Sequence, residues 1–182
     1  MPNINRIRVN NVKYNNGTQF YDDFNMNFQG KNALYDLANG GGKSVLMLLL
    51  LQNIIPNCTL DEKQPIEKLF RTSEGSTVIH SLIEWNLDDY HVEHLGYQYM
   101  TTGFCAKKAK ESSDEAREKN EEVKNTAAIE YFNYCVFYRD YNDNDIRNLP
   151  LVKDRERITY KGLRKYLTEL SQSNTSPIMV KI

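Results

Sequence analysis

Three consecutive glycines, Gly40, Gly41 and Gly42, run directly into Lys43 and Ser44, and the residues that follow, Val45 to Leu51, are apolar without a break. This is the order of residue types that a phosphate-binding loop requires. Glycines let the backbone take positive φ and turn successive N–H groups toward one anion, a geometry that side chains would obstruct. A helix starting near Lys43 points its positive dipole end at the same place. Lys43 would then reach the β- and γ-phosphates of a nucleoside triphosphate, and the Ser44 hydroxyl would ligate Mg²⁺, with Asn39 shaping the loop. The candidate ligands are therefore ATP and Mg²⁺, held by Asn39, Gly40, Gly41, Gly42, Lys43 and Ser44. No residue is singled out as catalytic. The consensus G-x-x-x-x-G-K-[ST] has glycine where this chain has Leu37, which fits if the backbone there stays extended. The plainer alternative is a glycine-rich turn capping a buried helix.

The elements that must position this loop can be read from hydrophobic period. Residues 4–12 alternate, with Ile7 and Val9 set between Arg6, Arg8 and Asn10, as a half-buried strand does. Asn16-Gly17 is a hairpin signal, so residues 19–29 return antiparallel to the first strand. Asn32 to Leu37 is expected as the strand entering the loop, and the helix after it ends near Asn53, before Pro56. Residues 61–70 read as a short helix or ordered loop. Residues 76–88 and 97–105 form a second antiparallel meander, and 127–141 recovers strand character. Leu163, Tyr166, Leu167 and Leu170 share one face of a helix over 159–170. Residues 107–126 are a polar insertion, and residues 171–182 have a linker-like composition.

The chain of 182 residues has the size of one domain, and 40% hydrophobic content suffices for a core. Its net charge of −1 excludes binding driven by a globally basic surface. Three cysteines without C-x-x-C spacing suggest neither a disulfide framework nor a zinc site. No signal-peptide layout is present, and the apolar run at 45–51 is too short to span a bilayer, so a cytoplasmic protein without membrane contact is expected.

The opening strands, the loop Asn39-Gly40-Gly41-Gly42-Lys43-Ser44, and the turn Asn11-Val12-Lys13-Tyr14 at the end of the first strand resemble the amino-terminal lobe of an ABC-type ATPase head of the SMC/Rad50/RecN/MukB-like group. The resemblance covers about residues 3–105. It implies an α/β P-loop NTPase lobe with a mixed sheet and an antiparallel β subdomain, spanning 1–182 as one piece of a longer protein. It further implies ATP-driven head dimerisation in DNA maintenance, repair or defence. Its partners would be a second ATPase lobe of the same protein, a second head and DNA. Hydrolysis would belong to the full dimeric protein, with this piece nearly inactive alone, because heads of this group take their signature loop and Walker B acid from a distant second segment.

Other residues are of types that could do chemistry. The stretches nearest to a Walker B strand are Leu82-Ile83-Glu84-Trp85 and Val136-Phe137-Tyr138-Arg139-Asp140, with Glu84 and Asp140 as the acids, yet both alternate like antiparallel strands. Gln98 and Gln172 are candidates for the glutamine that touches Mg²⁺ in this group. His91 and His94 have H-x-x-H spacing but suit a solvated turn better than a metal, and His80 lies in a strand pattern. Arg6, Arg8, Lys13, Lys107, Lys108 and Lys110 could face DNA, against ordinary surface charge as the simpler reading. Tyr131, Tyr134 and Tyr138 could stack bases, though an alternating strand uses such residues at its core edge. Asp36 either orients Lys43 or ends its strand. Two rival functions remain: a self-contained P-loop kinase or NTPase, and a non-catalytic interaction module.

Overall fold

The computed structural model describes residues 1–55, 66, 69, 78–108, 129–139, 149, 151–153, 156–172 and 179–181. The first strand, β1 (Asn3–Tyr14), forms a hairpin with β2 (Gln19–Asn27) through a 3-10 turn at Asn15–Gly17. Helix α1 (Lys43–Ile54) is followed by β3 (Val78–Asn86), the short α2 (Asp89–Leu95), β4 (Tyr99–Lys108) and β5 (Ile129–Tyr138). A two-residue ladder, β6 (Val152–Lys153) with β7 (Glu156–Arg157), precedes α3 (Tyr160–Gln172) and β8 (Met179–Lys181). The main sheet has six strands in the order β2-β1-β3-β4-β5-β8, and each of its ladders is antiparallel. The molecule is thus α/β in content, with helices on both faces of an antiparallel sheet. The mixed sheet expected from the sequence is not formed among the described residues.

Alternation assigns the faces. Ile79 of β3 and Phe104 and Ala106 of β4 pack with Val45, Leu46, Leu48 and Leu49 of α1. Val78, Leu82 and Cys105 pack instead with Leu163 and Leu167 of α3. Polar anchors fix the C-terminal end of α1: Asn53 Nδ2 donates to Ser81 Oγ at 2.8 Å, and Asn133 Nδ2 donates to the Gln52 carbonyl at 2.9 Å. A fully buried leucine such as Leu49 contributes about 1.5–3 kcal/mol, so this face alone accounts for much of the placement of α1.

Two irregularities in β1 set the hairpin apart from a plain meander. Asn5 sits in a bulge between Ile4 and Arg6, and its carbonyl accepts from the N–H groups of Phe28 and Gln29, which hooks the chain leaving β2 back onto the sheet. Asn11 has φ of 62°, in the left-handed region that asparagine tolerates better than most residues. This shifts the alternation, so Val12 and Tyr14 join Ile7 and Val9 against the α1 face.

Several expectations need correction. Residues 32–38 belong to no ladder; all but Leu37 are exposed, with Leu34 96% accessible. A strand needs a partner to bond with, and no described strand pairs with this segment, although Tyr35 approaches Phe24 of β2. β4 continues through Lys107 and Lys108, which the polar insertion was expected to contain. The linker-like end instead supplies the last turn of α3, at Ser171 and Gln172, and then β8, paired with β5. His91 and His94 lie on α2, not on a turn, because Asp88 caps the helix by accepting from the His91 N–H. The expected helix over 61–70, the insertion over 109–126, and Cys58, Lys110 and Asp140 lie outside the described residues, Ile66 and Leu69 excepted. Among the described residues no helix is long and apolar enough to cross a membrane.

Candidate phosphate-binding site

The glycine loop sits at the end of the hairpin where Tyr14 pairs with Gln19. Gly40 and Gly42 have φ of 81° and 82°, conformations that a residue with a Cβ adopts only under strain. Space excludes side chains as well. A Cβ on Gly41 would stand 2.9 Å from the Ala38 carbonyl, and one on Gly42 would meet the Tyr21 hydroxyl at 2.7 Å and the Tyr14 ring at 2.9 Å. The observed backbone therefore calls for glycine at all three positions, at Gly40 and Gly42 through positive φ, as expected, and at Gly41 through lack of space and not through φ.

Two tyrosines from the hairpin underlie the loop. Their rings lie 4.5 Å apart, and the Tyr21 hydroxyl donates to the Gly41 carbonyl at 3.2 Å. Burial first, and then the neighbouring Tyr14 and Tyr35, push the Tyr21 hydroxyl up to about 12, so it remains a donor across the physiological range. Tyr21 belongs to no sequence motif. Its signal lies in the hairpin register, which places it opposite Val12 beside a loop that has no side chains of its own to pack.

The loop mouth is chemically cationic. Gly42 is the N-cap of α1, no side chain accepts from the first-turn N–H groups, and no acidic residue stands in that turn. The Lys43 ammonium donates to the Leu37 carbonyl at 2.5 Å, spanning the loop from its last residues to its first. Leu37 thus contributes a backbone oxygen at the position where the consensus has glycine. Asp36 takes no part in holding Lys43. Asn39, Lys43 and Ser44 are exposed, and Ser44 stands in the first turn of α1. The start of α1, the Lys43 ammonium and the Ser44 hydroxyl adjoin one another at the end of the loop, while the Gly41 N–H is bonded to the Ala38 carbonyl at 3.0 Å. An oxyanion bearing several negative charges, with a divalent cation at Ser44, matches that donor set.

The remaining candidates are not brought to this opening. Glu84 lies on the sheet face away from α1, 4% exposed, and its carboxylate accepts from Asn5 at 2.6 Å, Arg6 at 3.0 Å and the Tyr138 hydroxyl at 2.6 Å. Gln98 precedes β4 at the end of the sheet where Asn3 pairs with Asn86, the end opposite Tyr14. Gln172 ends α3 on the other face. Arg6 is bound to Glu84, and Arg8 to Asp23 and the Leu149 carbonyl, so neither is simply displayed to a polyanion. His80 is buried, with Nε2 against the Ile158 carbonyl at 3.1 Å. No group of three or more metal-binding side chains occurs among the described residues. Tyr134 and Tyr138 are buried in the α3-side core, while Tyr131 is 39% exposed. In comparison with known proteins, the chain matches no family model, no curated protein and no solved structure.

Proposed function

We propose that this chain is the ATP-binding, amino-terminal part of an SMC-like ATPase, an ABC-type P-loop lobe. It would act with Mg²⁺ and with a second lobe of the same protein in DNA maintenance, repair or defence. The observation that carries this reading is the loop's conformation: positive φ at Gly40 and Gly42, an uncapped helix start, and the Lys43 ammonium drawn across to the Leu37 carbonyl. Two further observations support a missing lobe. Residues 32–38 lead into the loop without a ladder, and α1 leaves Met47 and Ile54 each 55% exposed on its outer side. A second segment pairing with the former and covering the latter would complete a P-loop sheet, which the antiparallel sheet of this chain does not provide by itself.

The self-contained kinase or NTPase is the weaker reading for the same reason, since it would need that sheet within this chain. Calorimetric titration with Mg·ATP tests the proposal. Lys43→Ala should lower affinity by about tenfold to a hundredfold, the worth of one charge-assisted contact, while the melting temperature stays unchanged. Equal affinity in both proteins would refute the site. Steady turnover by the chain alone would favour the kinase reading.

A further inference from the structure

Asn39 and Gly40 form an Asn-Gly pair, and the chain has a second one at Asn16-Gly17. Such a pair is open to attack by its own backbone on the asparagine side chain, because glycine has no Cβ to shield the peptide nitrogen that attacks. Three features of the loop leave Asn39 open to this reaction. Asn39, Gly40 and the preceding Ala38 are all exposed. Among the described residues nothing accepts from the Gly40 N–H, whereas the Gly41 N–H is bonded to the Ala38 carbonyl at 3.0 Å. The nearest side chain, that of Asn15, stands 3.5 Å from where a Cβ of Gly40 would lie, so the residue is not packed in. Asn16-Gly17 is held more firmly. It lies in the 3-10 turn between two paired strands, where the Asn15 carbonyl accepts from the Thr18 N–H at 3.1 Å and from the Thr18 hydroxyl at 2.7 Å.

We propose that Asn39 is a self-modification site that deamidates to isoaspartate, and that this conversion disables the glycine loop for phosphate. The second half rests on the phosphate-loop reading, and the first does not. A solvent base takes the Gly40 amide proton, and the nitrogen attacks Asn39 Cγ. The new N–Cγ bond forms as the Cγ–Nδ2 bond breaks, and the side-chain nitrogen takes up a proton and leaves as ammonia. Water then opens the succinimide. Cleavage between the nitrogen and the α-carbonyl carbon leaves the main chain running through Cγ, as isoaspartate, while cleavage at Cγ leaves aspartate. Either product sets a carboxylate just ahead of Lys43, where it repels an incoming phosphate and competes for the ammonium. Isoaspartate also lengthens the main chain by a carbon, which displaces the turn that the Gly41 N–H closes.

The test is incubation of the whole chain in mild base, followed over time by peptide mapping, by enzymatic labelling of isoaspartate and by titration with Mg·ATP. Isoaspartate should accumulate at Asn39 ahead of Asn16 and faster as pH rises. The converted fraction should bind Mg·ATP at least about tenfold more weakly than the starting protein. Asn39→Gln, whose larger ring closes more slowly, should form no isoaspartate there and should hold its own starting affinity throughout. Absence of isoaspartate at Asn39, or faster conversion at Asn16, would overturn the site and leave the phosphate loop standing. Conversion that leaves Mg·ATP affinity unchanged would overturn the disabling effect. Conversion in a chain that binds no Mg·ATP at the outset would refute the phosphate-loop reading and uphold the reactive Asn39 alone.

Discussion

The two long helices lie on opposite faces of one sheet, and they are built for different surroundings. α3 buries Leu163 and Leu167 completely and turns Lys161, Arg164, Lys165 and Glu169 outward, as a helix does when water covers its far side. α1 buries Val45, Leu46, Leu48 and Leu49 on its inner side, yet exposes Met47 and Ile54 on its outer side. A helix that is apolar all round is ordinarily enclosed all round. The α3 face is therefore finished by this chain, whereas the α1 face carries apolar surface beyond what the sheet can cover. The glycine loop leads directly into this helix, and Leu34 ahead of the loop is uncovered as well.

The finished face should be the costlier one to damage. Glu84→Ala removes at one stroke the acceptor used by Asn5, Arg6 and Tyr138, and leaves the Arg6 charge largely buried without that carboxylate. We expect a loss of about 3–5 kcal/mol in chemical denaturation. A loss below about 1 kcal/mol would mean that the network is more solvated than its burial indicates. Leu167→Ala, deleting a fully buried side chain between α3 and the sheet, should cost about 2–5 kcal/mol. Met47→Lys on α1 is the matched contrast. It should change stability by no more than about 0.5 kcal/mol and reduce self-association at high concentration, since an uncovered methionine holds nothing in place. A large loss from Met47→Lys would break the comparison, because it would show that the outer side of α1 is already covered in solution.

This contrast also separates what the sequence discloses from what it hides. The hairpin, α1, α3 and strands β3 to β5 follow from local period and turn residues, because each of those signals is carried by neighbours in the chain. The loop glycines are legible for the same reason: φ, N–H direction and helix start are local properties of Gly40 to Ser44. The segment at 32–37 is misread because its apolar pattern shows that it can be a strand, whereas a ladder depends on a partner elsewhere. Asn5 and Asn11 are equally opaque, since a bulge and a left-handed residue reverse the alternation without altering residue types. Glu84 follows an apolar run as a metal-binding acid would. Only the register of β1 against β3, which brings Arg6 opposite it, shows that its charge is already met.

α2 belongs to neither kind of surface, for it buries no residue and depends on its cap. The Met1 ammonium first, and then His91, hold the Asp88 carboxyl well below the usual carboxylate range. A depressed folded value means that the unfolded chain takes up its proton earlier as pH falls. Any stabilisation is therefore complete above the ordinary value of about 3.9 and is lost as pH drops through the lower folded value. Asn caps a helix as well as Asp does, so Asp88→Asn removes the charge and keeps the cap. Because the carboxylate lies at the surface, partly open to water, the melting temperature should fall only slightly at neutral pH and low salt. That small difference should vanish in about 0.5 M salt, where charges are screened within a few ångströms, and again in strong acid. A deficit that persisted in high salt would assign the role of Asp88 to cap geometry instead of charge, and α2 would then be held by local hydrogen bonding alone, with no layer of the sheet involved on either side.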